Sequence, residues 1–167
     1  MNTFILSQIL AGIPFLLDLC AFFFSKRVIT LSILALSTAL ISIHFWLLNE
    51  QMAALLMGIA SCRFLVAIKT SARKCMWIFI IISVISCIPT WQSLTDARPL
   101  AGSLFMTFAA FQHIGLKLRL FSLMGSFCWL INNVLIGSPV AVVMELAFMG
   151  SILISCLFAV SRKEKLL

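Results

Sequence analysis

The stretch ASCRFLVAIKTSARKCMWIFIIISVIS, residues 60–86, holds one arginine, Arg63, inside an apolar run, breaks at Lys69, Arg73 and Lys74, and then resumes as a second apolar run. Two hydrophobic segments flanking a short basic break are the pattern of a chain that crosses a bilayer, turns in water and crosses back. Outward from here the same alternation fills the chain, with apolar runs at 4–24, 28–48, 52–68, 75–91, 99–113, 120–136 and 140–160. With 63% hydrophobic residues and a mean hydropathy of +1.18, the 167-residue chain lies far outside the soluble globular range. A hydrocarbon core of about 30 Å asks for roughly 20 apolar residues per helix. The fifth run is the shortest and would span only about 22 Å at a rise of about 1.5 Å per residue. The expected fold is an all-α membrane protein of seven transmembrane helices in one domain, 1–167.

The charges test the number of crossings independently. With seven, the connections after helices one, three and five share a side with the C-terminal tail, and that side collects Lys26, Arg27, Lys69, Arg73, Lys74, Lys117, Arg119, Arg162, Lys163 and Lys165. The opposite side holds Arg98 alone, and Arg63 is within helix three. The positive-inside rule then puts the C-terminus in the cytoplasm and the N-terminus outside, in a bacterial inner membrane. The net charge of +7 is spread over helix ends, so anionic lipid headgroups rather than nucleic acid are its expected partners. The first run lacks a basic n-region and an A-x-A cleavage site, and is expected to stay as a helix. The six cysteines show no C-x-x-C or metal-ligand spacing, so no disulfide, metal or other cofactor is expected.

Two short strings recur. LAGIPF at 10–15 returns as LAGSLF at 100–105, an offset of 90, and WLLN at 46–49 returns as WLIN at 129–132, an offset of 83. Both fall at corresponding places, which suggests that helices one to three (1–69) and five to seven (98–161) are copies joined by a linker helix (75–92). An odd linker makes the copies parallel, related by an axis along the membrane normal.

The segments FQHIGLKLRLFSLMGSFCWLINNVLIGSPVAVVMELAFMGSILI (111–154) and IHFWLLNEQMAALLMGIASCRF (43–64) resemble the YgjV-type bacterial inner-membrane proteins. The positions carrying the resemblance are Arg119, Ser126, Trp129, Asn133, the Gly137-Ser138 turn and Glu145, with His44 and Arg63 in the first half. The family is similar in organisation to SWEET, PQ-loop and PnuC-type transporters, which implies a 3+1+3 arrangement and a solute site between the halves. Two departures stand out: Asn132 where the family tends to have tyrosine, and Asn49-Glu50-Gln51 where it tends to have a glycine-rich turn.

Ionisable groups at membrane depth are the functional candidates, because a charge at mid-bilayer costs about 2.5–3.5 kcal/mol or more and normally faces protein or water. Arg63 and Asp18 are at similar depth on helices three and one, where an Asp18–Arg63 ion pair would gate a solute path on the cytoplasmic side if the two helices touch. The competing reading has Arg63 snorkelling to headgroups and Asp18 meeting water. A second set, His44, Asn132, Asn133 and Glu145, belongs to helices two, six and seven and would converge on a polar solute, with interhelical glue as the alternative. Trp46 and Trp129 are either solute-stacking residues or members of an interfacial aromatic belt. Pro14 is a candidate hinge in helix one.

No motif for nucleophilic, metal or phosphate chemistry is present, so an enzyme is not expected. The leading expectation is a facilitator or secondary transporter of a small polar solute, with a homo-oligomer as a possible assembly. The runner-up is an inner-membrane interaction or regulatory protein that moves nothing. A cavity between the halves favours the first, and a dry, packed centre the second.

Overall fold

The computed structural model of the protein describes residues 3–21, 27–112 and 116–164, with backbone alone at 19–21, 27, 155 and 157–164. Among them are seven α-helices: α1 Thr3–Ala21, α2 Arg27–Leu47, α3 Gln51–Lys69, α4 Arg73–Cys87, α5 Ala97–Ala110, α6 Leu116–Ile136 and α7 Pro139–Glu164. Four segments are long and apolar enough to cross a membrane: Val28–Leu47, Gln51–Lys69, Arg73–Thr90 and Leu116–Ile136. Thr3–Asp18 and Pro139–Ile154 are shorter apolar helices. Helix α5 has 14 residues and starts two positions before the run read from the sequence; His113, the expected end, lies outside the described residues. A capping box of Ser93 and Asp96 on the preceding 3-10 turn, Leu94–Asp96, directs the chain into it.

Pro14 lies inside α1 and is fully buried, and the helix continues on both sides of it. Its missing N–H removes one intrahelical hydrogen bond.

Packing closes six of the helices into a ring. Helix α2 packs on both α1 and α3, α6 packs on both α5 and α7, and the two triplets meet along α3 against α5 and α1 against α7. Helix α4 stays outside the ring against α3 and α5. Its Trp77, Ile78, Ile81 and Ile85, at helical spacing, face outward as a lipid-facing side does.

One end of the bundle gathers four chain segments. Ser7 and Gln8 of α1 bond to His44 near the end of α2 and to Ser138 and Val140 at the start of α7. Glu50, in the α2–α3 turn, is near enough to Asp96 and Arg98 to feel both charges. Its carboxyl is held above the usual carboxylate range by burial and by Asp96, with Arg98 opposing. The start of α1 and the α2–α3, α4–α5 and α6–α7 connections therefore share this turn end. Lys69, Arg73, Lys74, Lys117 and Arg119 belong to the connections at the other, basic end.

The two tight turns have the same backbone. In the first, Asn49 adopts a φ of 61°, Glu50 N–H donates to the Phe45 carbonyl at 3.0 Å, and Asn49 N–H to the Trp46 carbonyl at 3.1 Å. In the second, Gly137 adopts a φ of 74°, Ser138 N–H donates to Asn133 at 3.0 Å, and Gly137 N–H to Val134 at 3.1 Å. Both are Schellman C-caps, which need a left-handed residue just past the helix. Gly137 has open space around its missing Cβ, so Gly137→Ala should cost about 1 kcal/mol from backbone strain alone. Gly12→Ala, equally open at ordinary φ, should cost nothing measurable; equal thermal stability of the two variants in detergent would remove the left-handed turn.

Candidate functional site

A cavity of about 190 Å³ lies between the two triplets and is walled by α1, α2, α3, α5, α6 and α7, with no contribution from α4. Most of its wall shares one register. Phe15 and Ser103, Asp18 and Met106, Thr38 and Ser126, Ile41 and Trp129, Phe45 and Asn133, Met57 and Glu145, Ala60 and Phe148, and Arg63 and Ser151 are each 88 positions apart, and every one except Ser126 lines the cavity. Ser126 is directly behind the wall, donating a hydrogen bond to the Glu145 carboxylate. The same offset relates the two Schellman turns, Asn49 to Gly137.

This register corrects the one read from LAGIPF/LAGSLF and WLLN/WLIN, whose offsets of 90 and 83 do not superimpose the helix faces. Under an offset of 88, Trp129 corresponds to Ile41 and Trp46 to Val134. Trp129 is accordingly 2% exposed and lines the cavity, while Trp46 is 66% exposed and points out of the bundle. Neither string match aligns under this offset. Helix periodicity, not string identity, decides which side chains face the axis.

Of the expected pathway residues, Trp129, Asn133 and Glu145 meet at the cavity. His44 and Asn132 are buried but do not line it. The His44 ring is committed elsewhere: Nδ1 lies 2.7 Å from the Ser7 carbonyl, which can only accept, so Nδ1 carries the proton. Nε2 is then the acceptor for the Ser138 hydroxyl at 3.1 Å, and Gln8 bonds the same hydroxyl at 3.4 Å. This cluster ties α1, α2 and α7 at the turn end. Beneath it Phe45 stacks on Trp129, centroids 5.6 Å apart, among buried Ile41, Met52, Ala53 and Leu56. Toward the turn end the cavity is thus bordered by a polar clasp and an apolar plug, and it extends the other way to Asp18, Leu34 and Phe64.

The expected Asp18–Arg63 ion pair is absent. It presumed that α1 touches α3, whereas α2 stands between them. Asp18 instead lies near Ser37 of α2. Arg63, 3% exposed, reaches away from it across the triplet seam to α5, donating to Thr107 Oγ1 at 2.6 Å and the Ser103 carbonyl at 3.4 Å. Thr107 in turn donates to Ser103 O at 2.7 Å. The guanidinium also lies over the Phe64 ring, 5.1 Å from its centroid. Both charges line the same cavity.

Sequence reasoning passed over Ser37, Thr38, Ser103 and Thr107, and named Ser126 only as a position carrying the family resemblance. The i, i+4 spacing of Ser103 and Thr107 in an otherwise apolar helix marks a polar face, and was the available signal. Buried side-chain atoms without a hydrogen-bond partner concentrate on the cavity wall: Asp18 Oδ1, Arg63 Nε, Ser103 Oγ and Asn133 Oδ1. Native interiors seldom leave such groups unmatched, so a wall carrying several is suited to hydrogen-bonding something placed against it. Among the described residues no group of three or more His, Cys, Asp or Glu is arranged to hold a metal ion.

A family described as "Bacterial inner membrane protein", Imp-YgjV, matches residues 5–163. The chain is 26% identical over 155 residues to Inner membrane protein YgjV of Escherichia coli (strain K12), an alignment covering 89% of this chain and 81% of that one. No solved structure matches.

Proposed function

Because the chain belongs to the YgjV family of bacterial inner-membrane proteins, a multi-pass helical membrane protein by its sequence and its fold, we propose that it is a facilitator or secondary transporter of a small solute. The observation that carries this reading is the cavity between the triplets, walled by six helices and excluding the seventh.

In this reading all seven helices cross the membrane and two parallel three-helix units rock about an axis along its normal. The ring of contacts supports such a repeat. Mapping α1, α2 and α3 onto α5, α6 and α7 exchanges the α3/α5 seam with the α7/α1 seam, as a two-fold axis requires. The common offset of 88 in the wall and the turns supports it again. The basic end faces the cytoplasm by the positive-inside rule. Closure by the clasp and plug then makes this an arrangement sealed toward the outside, and alternating access would require the His44–Ser7–Ser138 cluster and the Phe45–Trp129 stack to part.

Flux through proteoliposomes tests the proposal. Vesicles holding the protein should take up solutes from a panel of radiolabelled sugars, amino acids, amines and carboxylates faster than empty vesicles. Ala60→Trp, which fills the cavity from a buried wall position, should abolish the excess while the protein stays folded. Uptake equal to that of empty vesicles for the whole panel would favour the non-transporting interaction protein, whose partner surface would be the outward face of α4.

A further inference from the structure

The cavity wall is pseudo-symmetric in shape but not in charge. Asp18 belongs to α1 and Glu145 to α7, the two helices that form one seam between the triplets. Arg63 belongs to α3 and reaches over α5, the two helices that form the other seam. In the ring α1–α2–α3–α5–α6–α7 these seams are diametrically opposed, so the carboxylates and the guanidinium occupy opposite sides of one small chamber. None of the three has an ion-pair partner among the described residues. Asp18 is met by a serine hydroxyl, Glu145 by another, and Arg63 by a threonine hydroxyl and a carbonyl. Two of the three keep capacity in reserve: Asp18 Oδ1 and Arg63 Nε have no partner, and Asn133 Oδ1 is a further unmatched acceptor on the wall. Between the charged seams the wall carries Phe45 of α2 and Trp129 of α6, and Phe15 and Phe148 add aromatic surface on the acidic seam itself.

A monovalent cation would leave Arg63 repelling it, and an anion would face two carboxylates. A neutral sugar would find too few hydroxyl partners on so apolar a wall. The arrangement that matches every group is a molecule carrying both charges, separated along its length, with an apolar body. Resting on the transport reading above, we infer that the solute is a small zwitterion of the amino-acid type, its ammonium group against Asp18 and Glu145, its carboxylate against Arg63, and its side chain on the aromatic wall. The cavity of about 190 Å³, below the ~300–1,000 Å³ usual for drug-sized ligands, limits it to a single small molecule.

The test uses the full-length protein in detergent or nanodiscs and measures affinity by thermal shift and by titration calorimetry. The probes are glycine, L-leucine and L-phenylalanine, with phenethylamine (no carboxylate), 3-phenylpropionate (no amine), 2-phenylethanol (neither) and glucose. At least one zwitterion should bind, and for L-phenylalanine both single-charge analogues should bind tenfold or more weakly. Glu145→Gln and Asp18→Asn should each shift the affinities for the zwitterion and for 3-phenylpropionate in opposite directions, lowering the first and raising the second. Arg63→Lys should retain some binding, and Arg63→Gln should lose the carboxylate's contribution. Should Arg63→Gln not fold, the analogue comparison on the unaltered protein decides alone. Phenethylamine binding as tightly as L-phenylalanine, glucose binding in preference to all charged probes, or no zwitterion binding would each overturn the inference. The transport reading is judged separately by proteoliposome flux, and survives if flux is found for a solute of another class.

Discussion

Replacing Gly125 with leucine should cost about 3 kcal/mol, lowering the thermal stability in detergent more than a substitution at any other described glycine. The reason lies at the α5–α6 crossing. A Cβ at Gly125 would sit 2.8 Å from Met106 Cγ and 3.2 Å from both the Gly102 carbonyl oxygen and the Met106 nitrogen. The methionine side chain can swing aside, but the two backbone atoms cannot, so the helices must separate. Gly102 has the complementary position, where a Cβ would meet the Trp129 indole at 2.8 Å and Cys128 Cβ at 3.3 Å. Small residues let helix backbones approach closely in a lipid environment that supplies no hydrophobic force between them. Gly58→Ala is the control, since its Cβ would meet only Ser42 Oγ at an ordinary 3.5 Å and should change stability by less than about 0.5 kcal/mol. Unchanged stability of Gly125→Leu would mean that α5 and α6 do not approach this closely.

The second large effect is expected at Thr107. Its hydroxyl receives the shortest hydrogen bond that Arg63 makes, inside a site where the guanidinium has no carboxylate partner. Thr107→Val keeps the shape and removes the acceptor, which should cost about 1.5–3 kcal/mol, the usual scale for a hydrogen bond to a charged group. Arg63→Met removes the charge itself and replaces it with an apolar side chain, so in that background the valine should cost almost nothing. A double-mutant cycle read as stability should therefore give a coupling well above 0.5 kcal/mol for Arg63 with Thr107, and additivity within about 0.5 kcal/mol for Arg63 with Asp18. Strong coupling to Asp18 and none to Thr107 would restore the ion pair that the helix order argues against.

The helical character and the order of elements were legible because they rest on composition and charge, which survive without knowledge of packing. The basic residues at 69–74 and 117–119 marked helix ends: α3 ends at Lys69, α4 starts at Arg73, and Lys117 and Arg119 lie in the first turn of α6. What the sequence did not carry was rotation about each helix axis. Trp46 and Trp129 look alike in WLLN and WLIN, yet one faces out and the other faces the axis, because the turns that anchor the register are Asn49 and Gly137 rather than the tryptophans. Asp18 and Arg63, singled out as charges in apolar helices, both line the cavity, but their pairing depended on which helix is central in the triplet, and hydropathy is silent on that. His44 shows the opposite case. A lone histidine in an apolar helix invites a functional reading, while its two ring nitrogens are both occupied in holding α1, α2 and α7 together.

The opposed charges of the cavity also bear on how such a protein can arise. A chamber formed by two identical three-helix chains around a two-fold axis must repeat every group: an arginine on one seam brings a second arginine on the other, and an acid likewise. Such an assembly can only bind ligands that tolerate the same chemistry at both ends. Joining the halves through α4 frees position 63 from position 151, position 18 from position 106 and position 57 from position 145, which here hold Arg63 and Ser151, Asp18 and Met106, and Met57 and Glu145. Covalent fusion is thus what gives the chamber a head and a tail, and a ligand bound in it a single orientation.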